Sequence, residues 1–225
     1  SMKITDTQKM IMLDLKKLST FEGVDEKTIE RLTRSANQVT LNQGQTLLRS
    51  GVMESHAFLL VEGTLRLLGK DPITGELYTV GRLEQGNLIG IVDLLRQDPC
   101  EAAIARQKCK LYSFPLETIF NLMSEDEKFK ANLEKVQSAC EGALVLGQVV
   151  KDINPPPEDQ KKWIREQLEN QNGDTKYLLS TVIQGSEDLV GREISEEDKK
   201  VLKETSKLNL RYYCWTVKDY AGMAS

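Results

Sequence analysis

The sequence predicts an α+β protein: a β-jelly-roll, or double-stranded β-helix, sandwich of eight strands flanked by helices and followed by a mostly helical C-terminal extension. Three observations carry this. Apolar residues recur with helical spacing before residue 37 and after residue 115, but with a period of two between them. Gly44, Gly51, Gly63, Pro72, Gly75 and Gly86 punctuate that middle stretch at the spacing of short strands joined by tight turns. Pro155, Pro156 and Pro157 then stop the second helical stretch, because consecutive prolines lack the amide donors a helix needs.

Taken in order, Lys3 to Leu18 carries Ile4, Met10, Ile11, Met12, Leu13, Leu15 and Leu18 among charges, an amphipathic helix. Thr20 to Ala36 reads as a second helix, with Val24, Ile29 and Leu32 as its stripe and Asp25, Glu26 and Glu30 toward the N-terminal end that favours acids. Strand-like runs follow at Gln38 to Leu41, Thr46 to Arg49, His56 to Glu62, Thr64 to Leu68, Leu77 to Leu83, Ala102 to Arg106 and Cys109 to Phe114. Many short strands between glycine turns predict a sandwich. Leu116 to Met123 is then a short amphipathic turn, and Glu125 to about Val150 a single long helix suited to a homodimer contact over residues 125–150.

These readings divide the chain into a first domain at 1–150, a proline-rich linker at 151–157 and a small, mainly helical extension at 158–225. In the extension Trp163, Ile164 and Leu168 share a helix face, Tyr177 to Ile183 is a short apolar segment, Ser195 caps a helix through Val201 and Leu202, and Leu208 to Val217 has strand character. Ser1 ahead of Met2 reads as a tag remnant. The end at Ala221–Ser225 reads as that of a fragment leading to further domains.

Composition narrows the function classes. With 225 residues, 40% hydrophobic and 28% charged, the chain can bury a core. Its net charge of -4 supplies no field for a phosphate backbone, and residues 151–225 hold 12 Lys+Arg against 14 Asp+Glu with no helix-turn-helix frame, so no nucleic-acid partner is expected. No apolar run reaches the length of a membrane span and no signal peptide is present, which predicts a cytoplasmic protein without direct membrane insertion. Cys100, Cys109, Cys140 and Cys214 are scattered, and His56 is the sole histidine, so no metal site is expected and the thiols read as reduced and mostly buried.

The stretch with the most chemical content is Gly86 to Ile104, GNLIGIVDLLRQDPCEAAI. Together with SHAFLLVEGTLRLL at 55 to 68 and PCEAAIA at 99 to 105, it resembles the cyclic-nucleotide-binding domain of catabolite-activator-type regulators, kinase regulatory subunits and gated channels, over about residues 18 to 150. That family's cassette reads like G-E-x-x-G-E-x-A-L-L-x-x-x-P-R-x-A-T, and Gly86, Gly90, Leu94, Leu95, Pro99 and Ala102 fall on it without a gap. The resemblance implies a ligand site built from Gly86, Asn87, Leu88, Ile89, Gly90, Ile91, Cys100, Glu101, Ala102 and Ala103.

Three departures from the pattern bear on the ligand. Ile91 stands where the family has the ribose-binding Glu, Cys100 where it has the phosphate-binding Arg, and Ala103 where a hydroxyl residue is usual. Losing a charge-assisted bond to phosphate forfeits about 1.5–3 kcal/mol. Ordinary cyclic AMP binding is therefore not expected, and no cofactor is assigned beyond a cyclic nucleotide or other small ligand held differently. Arg82, Arg96 and Arg106 are the cations that could substitute. Cys100 and Glu101 offer a second reading, a thiol and carboxylate site for a different ligand.

The segment from Leu67 to Ala105 also resembles the amino-terminal domain of cyanobacterial toxin- or peptide-secretion ATP-binding-cassette exporters, which tend to carry Pro-Cys-Glu-x-Ala-x-Ala in place of the Arg. That likeness implies a cytosolic regulatory module whose partners are the other domains of a membrane transporter. No Walker loop or paired catalytic residues occur, so no enzyme activity is expected within the chain. The alternatives are the effector domain of a transcription regulator of the catabolite-activator type, or a ligand-free docking scaffold.

Overall fold

The computed structural model describes residues 3–97, 99–152, 158–169 and 196–197. Two helices open the chain: α1 at Asp6–Lys16, and α2 at Glu26–Arg34 after a 3-10 turn at Ser19–Phe21. The first begins at a capping box, in which the Thr5 hydroxyl accepts from the Gln8 amide at 3.1 Å and the Gln8 side chain accepts from the Thr5 amide at 3.0 Å. α2 starts later than the Thr20 expected from the sequence. Asp25 is extended and its carboxylate accepts from the Lys27 amide at 2.9 Å, so the cap sets the start even though apolar spacing begins earlier.

Eight strands follow among the described residues: β1 Asn37–Leu41, β2 Thr46–Leu48, β3 His56–Glu62, β4 Leu65–Lys70, β5 Leu77–Leu83, β6 Leu88–Ile89, β7 Ala103–Ala105 and β8 Cys109–Pro115. Seven of them lie on the runs predicted by alternation. The helix α3, Ile91–Arg96, separates β6 from β7, and α4 at Leu116–Glu125, α5 at Glu127–Leu133, α6 at Ala139–Asp152 and α7 at Gln160–Glu169 complete the elements. The architecture is the antiparallel, jelly-roll-like β-sandwich with flanking helices that the sequence predicts.

The single helix expected from Glu125 to about Val150 is instead three pieces. Asp126 adopts an extended conformation and caps α5, accepting from the Phe129 amide at 3.0 Å, from the Thr28 hydroxyl at 2.7 Å and from the Asp25 amide at 3.3 Å. Asn132 donates to the carbonyls of Thr20 at 3.1 Å and Glu22 at 2.8 Å, which ties α5 to the segment before α2. Residues 134–138 are not helical, and the Ser138 hydroxyl accepts from the Cys140 amide as α6 begins. Tertiary hydrogen bonds thus outbid the continuous helical pattern, and the dimer contact expected over residues 125–150 has no single helix to rest on.

Two compact units divide the chain. The first comprises Ser1–Leu65, Leu83–Pro99 and Ala103–Val136, and the second Arg66–Arg82, Cys100–Ala102 and Gln137–Ser225. In the first, an antiparallel sheet runs β1-β8-β3-β6, with Leu59 opposite Tyr112 and Ala57 opposite Phe114. Those four side chains form one face of a core closed by Ile11, Met12 and Leu15 of α1, Ile29 and Leu32 of α2, Ile119 and Leu122 of α4, and Phe129 and Leu133 of α5. The alternate residues Phe58, Leu60 and Leu111 are buried on the other face, which is why β3 reads as a near-continuous apolar run. β2 pairs with β7 in the same unit.

The second unit holds most of the β4–β5 hairpin with α6 and α7. Small residues set the approach of helix to hairpin: a Cβ at Gly69 would meet the Cβ of Ala143 at 3.2 Å, one at Gly81 would meet that of Ala139 at 3.9 Å, and one at Gly147 would meet Pro72 at 3.5 Å. Ala139, Ala143 and Gly147 recur every four residues and so form one stripe of α6. Ile164 and Leu168 are the buried positions of α7, with Trp163 half-buried. The expected linker prolines, the Tyr177–Ile183 segment, the Leu208–Val217 strand and Cys214 lie outside the described residues. Of the helix expected after Ser195, Glu196 and Glu197 are described and are helical.

Candidate functional site

In the first unit, the Gly86–Ile91 segment is a tight return built on backbone contacts to β3. The Gly86 amide donates to the Leu60 carbonyl at 2.7 Å, and the Leu60 amide donates to the Asn87 carbonyl at 3.0 Å. The Asn87 side chain donates to the Glu84 carbonyl at 3.0 Å, holding the turn that precedes β6. Leu88 and Ile89 then pair with Leu59 and Phe58. Gly90 leaves the strand at φ +100°, and a Cβ there would lie 3.0 Å from the Ala57 Cα and 3.2 Å from the His56 carbonyl oxygen. Both the left-handed backbone and the close approach to β3 exclude a side chain at this position.

Beyond Gly90, the six-residue α3 is held by packing. Ile91 is 3% exposed and belongs to the core of the first unit, with Leu94 and Leu95 packed against the same cluster. Positions 91, 94 and 95 are i, i+3 and i+4, the spacing of one helix face. Ile91 is thus part of the core. Ala103 lies on β7 opposite Leu48 and is fully buried.

Cys100, Glu101 and Ala102 belong to the second unit and are 8%, 4% and 5% exposed. The Ala102 carbonyl accepts from the Leu68 amide at 2.9 Å and from the Cys140 thiol at 3.5 Å. Burial, then the nearby Glu101 carboxylate, push the Cys140 thiol up to about 12. That thiol stays protonated in neutral solution and is a poor nucleophile. Cys109 is likewise raised by burial, against hydrogen bonds to the carbonyls of Thr64 and Gln107. Cys100, Cys109 and Cys140 are all buried.

The remaining candidates are placed plainly. Arg82 and Arg106 are exposed, whereas Arg96 is half-buried and engaged by neighbours. His56 opens β3 and shares a hydrogen bond of 2.8 Å between its Nδ1 and the Ser55 hydroxyl. No cluster of metal-ligating side chains occurs among the described residues, and no described helix is long and apolar enough to cross a membrane. Sequence reasoning did not single out Tyr78, and it marked Cys140 only as a scattered, buried thiol; the proximity of Cys140 to Ala102 and of Tyr78 to Arg165 depends on long-range packing that no local spacing signals.

Residues 38–126 match the family model for the cyclic nucleotide-binding domain. No curated protein sequence matches the chain. Among solved structures, the sensor domain of the transcriptional regulator DNR from Pseudomonas aeruginosa is similar at TM-score 0.51 and 16% identity, over 57% of this chain and 87% of that one. The guanosine-bound regulatory subunit of a cAMP-independent protein kinase A from Trypanosoma cruzi is similar at 0.52 and 16% identity, over 60% of this chain and 47% of that one. The cAMP-bound PfPKA-R is similar at 0.52 and 15% identity, over 73% and 55%. The chain thus spans about half the length of these two kinase regulatory subunits. With this matched segment and these structural likenesses, the β-sandwich described above has the fold of the cyclic-nucleotide-binding domain.

Proposed function

We propose that the chain is a regulatory or sensory module of the cyclic-nucleotide-binding type that does not hold a cyclic nucleotide in the usual manner, and that it works in the cytosol as the amino-terminal part of a toxin- or peptide-secretion exporter. The observation that carries the reading is the contrast between a retained backbone frame and altered side chains. The Gly86 and Gly90 turn conformations favour glycine, and Gly90 is further constrained by the backbone of β3. At the side-chain level, the position of the ribose carboxylate is the core residue Ile91, and that of the phosphate cation is the buried, neutral-sized Cys100. A buried phosphate without a cationic partner is strongly disfavoured.

The exporter context rests on the Pro-Cys-Glu-x-Ala-x-Ala form at Pro99–Ala105 in place of the arginine. Within that reading the ligand set is Gly86 to Ile91 with Cys100 to Ala103, and the partners are neighbouring transporter domains. Calorimetric and thermal-shift titrations with cyclic AMP, cyclic GMP and cyclic dinucleotides test it, because a ligand specific for the folded state raises stability by mass action. No saturable shift at millimolar cyclic AMP is the expected result. Saturable micromolar binding would show that another cation takes the place of the arginine and would overturn the proposal.

A further inference from the structure

We propose that the outward face of α1 is a self-association surface, on which a second copy of this chain packs antiparallel about a two-fold axis, with Met10 against the partner's Leu13 and Asp6 against the partner's Lys17. The inference goes beyond the regulatory reading and rests on α1 alone.

This helix buries one side and carries apolar residues on the other as well. Ile11, Met12 and Leu15 are turned into the core of the first unit, whereas Met10 and Leu13 are 66% and 61% exposed. At about 100° per residue, Asp6, Met10, Leu13 and Lys17 fall within about 60° of arc, on the side of the helix opposite the three buried residues. Lys17, the C-cap, keeps helical dihedrals, so the stripe runs the full length of the helix. Met10 and Leu13 thus stand where a surface helix ordinarily carries polar side chains.

The order of charges along the stripe points to what covers it. Asp6, Met10, Leu13 and Lys17 read acid, apolar, apolar, base, and their positions are symmetric about the midpoint between residues 11 and 12. Turned end for end, a second α1 presents its Leu13 to Met10 and its Lys17 to Asp6, and by symmetry each pair occurs twice, as an isologous two-fold contact requires. A parallel pairing would instead set acid on acid and base on base. Within the chain, the end charges are held only by long, exposed pairs that contribute little, Asp6 with Lys9 at 3.9 Å and Lys17 with Asp14 at 3.8 Å. Lys16, at the flank, is taken up by Glu26 at 2.9 Å. One short helix on another is a small interface, below about 1,200 Å² in total, so the dimer is weak, with a dissociation constant between about 10 µM and about 1 mM.

Sedimentation equilibrium of the full chain from about 10 µM to about 2 mM, a range that brackets that constant, tests the surface. The weight-average mass should climb from 25.4 kDa toward twice that value. Leu13→Glu, at an exposed position outside the core, should keep the chain monomeric throughout. Asp6→Lys and Lys17→Asp should each weaken association by about five-fold or more, because either one sets like charges together at both ends of the two-fold contact. Mixed in equal amounts, these two variants should associate with each other as the original chain does with itself, since both ends of the mixed dimer then join opposite charges. An original chain that is monomeric at about 2 mM, a dimer that survives Leu13→Glu, or a mixture that associates no better than its two components would each overturn the proposal. No readout here uses a ligand, so failure of the self-association surface leaves the regulatory reading standing, and a nucleotide titration that overturns that reading leaves the surface intact.

Discussion

At the residue scale, several hydrogen bonds converge on the Asp126 side chain in the first unit. Burial alone would raise its carboxyl, but bonds from the Phe129 amide, the Thr28 hydroxyl and the Asp25 and Lys128 amides outweigh that and hold it below the ordinary carboxylate value. A carboxyl depressed in the folded state contributes stability that is present above its unfolded value and lost as pH falls through the folded one. Urea unfolding followed into acid should therefore show a loss below about pH 4 that is reduced in Asp126→Asn. Asp126→Ala should cost about 1–2 kcal/mol at neutral pH, the loss of an N-cap with an added tertiary bond. Gly90→Ala is expected to cost about 1–3 kcal/mol by the same measurement, since its φ and its contact with Ala57 both oppose a methyl group. Cys140 has the reverse pH signature: its thiol is raised from 9.0 to about 12, so the stability it contributes is complete below 9.0 and disappears as pH rises toward 12. Alkylating reagents should modify Cys140 only on unfolding, as mass spectrometry of labelled native and denatured protein would show.

At the element scale, strands were more legible than helix boundaries. Alternation located seven of the eight described strands because each buries part of its length against a core, which imposes a period of two on the sequence. β6 escaped notice because two residues cannot display a period. α3 escaped because it has no side-chain cap; its start is set by the backbone of Gly90. The expected long helix failed for a different reason, since Asp126 and Asn132 carry no local sign that their side chains bond to residues about a hundred positions earlier. α7, by contrast, was readable from Ile164 and Leu168. Ile164→Ala should cost about 2–4 kcal/mol of local stability by removing a fully buried side chain. Hydrogen exchange should register that loss in α7 and leave β3 and β8 protected.

At the scale of the whole molecule, fold and chemistry separate. The sequence by itself determined the sandwich, its glycine turns and the cassette spacing, because these follow from local conformational rules and from the types of residue at fixed offsets. Only the tertiary structure decided that Ile91 belongs to a packed core, that Cys140 lies beside the Ala102 carbonyl, and that Lys161 and Arg165 reach Glu76 and Tyr78. These are meetings of residues tens of positions apart, and no local pattern encodes which partner a buried side chain will find. A period of two or 3.6 tells which face of an element is buried; the identity of what covers that face is a property of the packed chain.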